Sequence, residues 1–173
     1  MFFIPLVLLI LLVCCLYIFF AYNIFALKSG APYVPTSSAN IRRMLSLADL
    51  QPGEKIIDIG SGDGRIVFAA ARRQAICLGI EINPLLVWWS RCISYIQKHH
   101  KLITITQQNF WQVDMSEADV IIAYCIGSKM PVLQQKLAKE AKAGARIISS
   151  RFQFPDWQYS KKDGTVYLYI VPS

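Results

Sequence analysis

The sequence predicts an α/β domain with a mainly parallel sheet, helices on both faces and an antiparallel hairpin at its end, preceded by one transmembrane helix. Three observations predict it. Residues 2–27 contain no charged side chain, a stretch long enough to cross a bilayer as a helix. From Lys28 onward, short apolar runs alternate with helical patterns, as in strand–helix–strand units. Near the end, Asp163-Gly164 divides two strand-like segments, the dipeptide of a tight hairpin turn. The 173 residues have room for one domain plus an anchor. The expected division is an anchor at 1–27, a linker at 28–37 and the domain proper at 38–173.

The elements follow in order. No polar stripe interrupts residues 2–27, which argues against a core helix. A cleaved signal peptide wants a basic start, a shorter apolar region and a small-residue cleavage site, none of which is clear here. Lys28, Arg42 and Arg43 follow the span and no Lys or Arg precedes it. The positive-inside rule therefore places the domain in the cytoplasm, at a prokaryotic inner membrane or an organellar one. The lack of an Arg-rich presequence leans toward a prokaryote. Residues 28–37, KSGAPYVPTS, read as a linker reaching about 35 Å when fully extended. Ser37 or Ser38 caps a helix to about Leu47, with Ile41, Met44, Leu45 and Ala48 on one face. Pro52-Gly53 turns the chain into a buried strand, Lys55–Ile59. A helix from about Gly64 to Arg73 and a strand over Ile76–Ile82 come next. Asn83 caps and Pro84 opens another helix, whose Leu85, Trp88, Trp89, Cys92 and Ile96 are expected in the core. Strands follow at Leu102–Thr106 and Asp119–Tyr124. Ser128 caps a helix bearing Leu133, Leu137 and Ala141, which Gly144 ends. Ala145–Ser150 and Thr165–Val171 complete the sheet.

Composition narrows the function. The net charge of +7 comes from scattered basic residues, which suit a domain lying against anionic headgroups. Nucleic acid is not expected, because no aromatic–basic motif supports it. The five cysteines are odd in number and lack metal-ligand spacing, so no metal is expected and the thiols read as free, in a reducing compartment. His99 and His100, beside Lys98 and Lys101, read as a solvated helix end.

The most informative segment is Ile56-Ile57-Asp58-Ile59-Gly60-Ser61-Gly62-Asp63-Gly64. Glycines placed between a buried strand and a helix let the backbone approach a ligand at the strand's carboxyl end. A dinucleotide fingerprint needs G-x-G-x-x-G, and its last position here is Arg65. That bulk argues against a pyrophosphate ligand, and no Walker lysine is present. Glu81 ends the next strand, where a carboxylate accepts from ribose hydroxyls. Adenosine without a phosphate cradle, carrying a cationic tail, is the ligand these features suit, and S-adenosylmethionine has that chemistry.

At this point the residues resemble class I methyltransferases: I-I-D-I-G-S-G-D-G is similar to their first motif and G-I-E-I to their second. Val34-Pro35-Thr36, Glu81-Ile82-Asn83-Pro84-Leu85-Leu86-Val87-Trp88 and Arg151-Phe152-Gln153-Phe154-Pro155-Asp156-Trp157 more narrowly resemble the membrane-anchored lysine methyltransferases that modify the adenine nucleotide translocase and the c-ring protein of ATP synthase. The resemblance implies a Rossmann-like class I fold and S-adenosylmethionine as cofactor. Asp58, Gly60, Ser61, Gly62 and Gly64 would then shape the methionine end of the pocket, and Glu81 would hold the ribose. Asn109 would contact the adenine, standing where the family has an acidic residue; its carbonyl can still accept from an exocyclic amine. Phe110 or Trp111 would cover the adenine, or pack beneath the loop.

Methyl transfer needs positioning and water exclusion more than a strong base. Tyr124, at the end of the fourth strand, is the candidate catalytic residue, orienting the acceptor amine. The chain has no substrate domain, so an open site is expected, covered only by the helix near Ile41–Leu47 and the 107–117 loop. An open site and a bilayer anchor favour a lysine of a membrane protein. Lipid or quinone methylation shares the anchor and fold. An amino-methyltransferase of nucleic acids would want D/N-P-P-Y/F where Ala123-Tyr124-Cys125-Ile126 stands. A non-catalytic tethered module is the alternative outside enzymology.

Overall fold

The computed structural model describes residues 3–172. Helix α1 (Phe3–Ser29) is followed by α2 (Ser38–Leu47), β1 (Lys55–Ile59), α3 (Arg65–Ala71), β2 (Ile76–Glu81), α4 (Pro84–Ile96) and β3 (Ile103–Gln107). Then come β4 (Val120–Ala123), α5 (Met130–Glu140), β5 (Arg146–Ser150), β6 (Lys161–Asp163) and β7 (Val166–Ile170), with short 3₁₀ turns at Phe110–Gln112 and Gly127–Lys129. The strands form one sheet in the order β3-β2-β1-β4-β5-β7-β6. β1 to β5 run parallel, while β7 is antiparallel to β5 and to β6. The expected α/β architecture and its terminal hairpin are therefore present.

Alternation along the strands divides the core into two layers. Ile56, Ile148 and Leu168 face Met44 and Leu45 of α2 and Val67 of α3. Ile57, Ile59, Ile121 and Ile147 face Leu133 and Leu137 of α5, together with Tyr169. Strand order reverses between β1 and β4, and the crevice beyond the carboxyl ends of such strands is where ligands bind in this class of sheet.

Element ends shift by a residue or two from expectation, as helix and strand termini do. The helix expected from Ser128 starts at Met130, because Gly127–Lys129 forms a 3₁₀ turn and Pro131 opens the first helical turn. A larger correction concerns α4. The face expected in the core is outside: Trp88 is 65% exposed, Trp89 51% and Ile96 73%. Leu86, Val87, Ser90 and Ser94 are buried instead. The start of α4 is apolar on every side, so periodicity alone does not select a face. Packing does: the hydroxyl of Ser90 donates to the Gly62 carbonyl at 3.1 Å, an approach a tryptophan at that position would block. Trp157 is partly buried against Phe154 and Tyr169, as expected for a packing residue.

Helix α1 is long and apolar enough to cross a membrane over Phe3–Lys28, and its most apolar stretch is wholly exposed. Its last turns are not isolated. Ala26 is buried, the Asn23 side chain accepts from Tyr33 N–H at 3.3 Å, and the Gly30 carbonyl accepts from Ile126 N–H at 2.8 Å.

Candidate functional site

The turn after β1 is built for close approach. Gly60 and Gly62 have φ of 71° and 58°, in the left-handed region that favours glycine. A Cβ at Gly60 would sit 2.9 Å from Ala31, and one at Gly62 would sit 2.8 Å from the Tyr33 ring. The Gly60 and Ser61 N–H groups both donate to the Ile80 carbonyl at 2.9 Å, fixing the turn to the end of β2. Gly64, also left-handed, caps α3 and lines neither cavity beside the turn.

Two carboxylates are buried at this turn. Glu81 is 6% exposed. One of its oxygens accepts from Gly62 N–H and the other from Ile82 and Asn83 N–H, each at 2.8 Å. Burial raises its pKa, while those three backbone donors oppose the rise. Asp58 is 1% exposed, and its Oδ2 has no hydrogen-bond partner. Burial, and then the charges of Glu81 and Asp63, push its pKa up to about 8. Asp63 behaves oppositely: burial works against its charge, but Arg65, at 2.6 Å, outweighs burial and holds the carboxyl below its usual value.

Among the described residues, the buried side-chain polar atoms without a partner are Asp58 Oδ2, Ser61 Oγ, Asn83 Nδ2 and Ser150 Oγ. All four lie at the carboxyl-end edge of the sheet. Native interiors pair nearly all such atoms, so a cluster of orphans at one edge marks a place where a polar ligand completes the bonding.

Two small cavities flank Gly60. One, about 10 Å³, is bounded by Ala26, Ala31, Glu81, Asn109 and Phe110. The other, about 20 Å³, is bounded by Tyr33, Pro35, Asp58, Ser61, Gly62 and Tyr124. The structure thus brings every sequence-nominated site residue except Gly64 to one or the other. The Asn109 carbonyl also caps the following 3₁₀ turn, accepting from Trp111 N–H at 3.2 Å. Phe110 is buried and packs in the core as well as reaching the cavity, with its ring 4.6 Å from that of Trp111.

The expectation of an open site is corrected. Ala31–Thr36, read from sequence as a linker, lies as a strap over the glycine turn, and the last turn of α1 adds Ala26. Arg65 holds the strap by donating to the Thr36 carbonyl at 2.8 Å. α2 lines neither cavity, and the 107–117 loop supplies only Gln108 to Phe110. The signal for Tyr33 was present in Pro32-Tyr33-Val34-Pro35: two prolines stiffen a segment that a free linker has no need to stiffen. Among the described residues, no three His, Cys, Asp or Glu side chains group to hold a metal ion.

Comparison with known proteins agrees with this geometry. Residues 58–161 match the family described as the ANTKMT methyltransferase domain. The lysine N-methyltransferase of the ATP synthase c-ring protein from Xenopus laevis is 36% identical over 130 residues, 75% of this chain and 57% of that protein. A protein-lysine N-methyltransferase of Saccharolobus islandicus is 34% identical over 152 residues, 81% of this chain and 93% of that one. The solved structure of an RNA methyltransferase from Salinibacter ruber, in complex with S-adenosyl-L-homocysteine, superposes with a TM-score of 0.78 at 34% identity, covering 80% of this chain and 94% of that one. The chain spans little more than half the length of the vertebrate relatives it matches. The match covers both strands that carry the buried carboxylates and the sheet through β6, and the chain belongs to the ANTKMT methyltransferase domain family.

Proposed function

We propose that this protein is an S-adenosylmethionine-dependent methyltransferase, held at a membrane by α1, that methylates a lysine of a membrane protein. The observation that carries the reading is the cluster of unpartnered polar atoms around two buried carboxylates at the strand-order reversal. The residues present fit the cofactor. The free oxygen of Asp58 suits the ammonium of a methionine moiety, and Glu81 retains an acceptor site for ribose hydroxyls beyond its three backbone bonds. Asn109 and Phe110 border the same side as Glu81 and would meet the adenine. The named relatives from Xenopus and Saccharolobus support lysine as acceptor.

When bound, S-adenosylmethionine supplies an electrophilic methyl group on a sulfonium. The chain's own residues position the acceptor and exclude water. A free lysine has a pKa of ~10.4 and must be neutral to attack, which a dry site disfavouring a second cation promotes. Tyr124 borders the cavity that Asp58 and Gly62 share, placed to accept from or donate to the incoming amine. Tyr124→Phe is expected to lower kcat about tenfold or more, leaving the cofactor Kd unchanged; single-turnover rates and calorimetry separate the two, and unaltered turnover removes the role.

Ligand pockets usually hold ~300–1,000 Å³, so the strap moves aside when the cofactor enters. Amide exchange at residues 31–36 is expected to change on adding S-adenosylhomocysteine while the β4–β5 amides stay protected. An unresponsive strap would mean that the nucleoside binds elsewhere.

The experiment that tests the function is tritiated-methyl labelling of membranes lacking this protein, with purified full-length chain added back. Label should enter a membrane protein, at lysine by mass spectrometry. RNA is the second reading, favoured by the name of the Salinibacter structure. Label in the RNA fraction would replace lysine with a nucleotide as acceptor, and label in extracted lipid would point to a small-molecule substrate.

A further inference from the structure

The outward face of α4 has no partner in the structure, although it is the most apolar face the helix owns. Trp88, Trp89, Tyr95 and Ile96 are each more than half exposed. At 100° per residue, Leu85, Trp88, Trp89, Cys92, Tyr95 and Ile96 fall within an arc of about 120°. Scattered exposed side chains need no explanation, but a contiguous stripe with two tryptophans does. We propose that this face lies in the interfacial layer of an anionic bilayer, with Trp88 and Trp89 at headgroup depth. The inference rests on reading α1 as a membrane span, and it adds the orientation of the domain on the bilayer.

Three observations point to lipid as the occupant. α1 contacts α4, and α1 is pinned to the domain through Ala26 and Gly30, so a bilayer crossed by α1 passes close to α4. Tryptophan, with an apolar body and a polar N–H, favours the membrane–water boundary. Charge is also complementary. From Ile82 to Val113 the chain has no Asp or Glu but carries Arg91, Lys98 and Lys101, and cations beside an apolar stripe suit anionic headgroups. α4 starts directly after β2, at the edge of the sheet where Asp58, Glu81 and Tyr124 gather. Docking α4 therefore turns the carboxyl-end edge toward the membrane surface, where the lysine of a membrane protein is within reach.

The test reconstitutes the full-length chain into vesicles of phosphatidylcholine and phosphatidylglycerol, with part of the lipid brominated along the acyl chains. Bromolipid should quench tryptophan emission, and Trp88→Phe/Trp89→Phe should lose most of that quenched signal. Both side chains are largely exposed, so the variant should keep the wild-type Tm in detergent. Quenched emission that persists undiminished in the double variant overturns the docking. The vesicles are also washed with alkaline carbonate. A chain that stays in the bilayer with unquenched Trp88 and Trp89 overturns the docking alone, whereas a chain that washes off overturns the anchor and the docking together.

Discussion

Glu81→Ala is expected to weaken S-adenosylmethionine binding roughly 100-fold or more and to destabilise the cofactor-free domain by about 2–4 kcal/mol. Both effects come from one carboxylate. In the folded chain Glu81 accepts from Gly62, Ile82 and Asn83 N–H, each at 2.8 Å. Removing it strands three donors at a buried position, and leaving one such donor unpaired costs ~1–3 kcal/mol, with water entering the gap to soften the sum. The bond to Gly62 also ties the glycine turn to the end of β2, so its loss loosens the wall against which the cofactor would rest. Two charge-assisted bonds to ribose hydroxyls, at ~1.5–3 kcal/mol each, account for the affinity loss. Glu81→Gln should fall between, because an amide offers one acceptor oxygen and sets an NH₂ group against a backbone donor. Calorimetry on the full chain in detergent measures the affinity, and thermal unfolding of the same sample measures the stability. Wild-type affinity in the alanine variant would take Glu81 out of the site.

The parts of this molecule that were legible in its sequence share one property: a local physical rule decides them. The left-handed turns at Gly60 and Gly62 need glycine, and Asn83-Pro84 starts α4 as a capped helix with proline in its first turn. Asp163-Gly164 turns the hairpin between β6 and β7. What was not legible depends on contacts between distant segments. Trp88 and Trp89 were expected inside, because an apolar stripe at helical spacing normally seeks the core. Which stripe of α4 wins was decided by Ser90 seating against Gly62, a contact no window of sequence contains. The strap was hidden for the same reason. Pro32-Tyr33-Val34-Pro35 looked like spacing between anchor and domain, but Arg65 and Asn23 hold it over the turn. A feature that sets a site's closure can therefore hide in a segment with no regular structure of its own.

Asp58→Asn should also abolish tight cofactor binding, yet raise the stability of the cofactor-free protein, the reverse of the change at Glu81. The Asp58 carboxyl is wholly buried with one oxygen unpartnered, and its pKa rises from 3.8 to about 8 through burial first and the neighbouring charges of Glu81 and Asp63 second. The sign follows from proton counting. Between those two values the folded protein holds a proton that the unfolded chain has released, so stability falls as pH rises across that window and levels off above it. Asparagine never ionises. Its advantage over the wild type should be absent near pH 4, grow toward pH 8 and reach a few kcal/mol there, read as a widening gap in Tm. Cofactor binding has the opposite dependence. An ammonium brought beside Asp58 favours the ionised carboxylate, so near neutral pH binding must expel the proton. Wild-type affinity should then rise with pH, by up to about tenfold per unit, until the free carboxyl is ionised. Calorimetry in buffers of different ionisation enthalpy should record close to one proton released per cofactor at pH 7, and none in the asparagine variant. Equal proton release from both proteins would assign the titration to another group and leave Asp58 a structural residue of the turn.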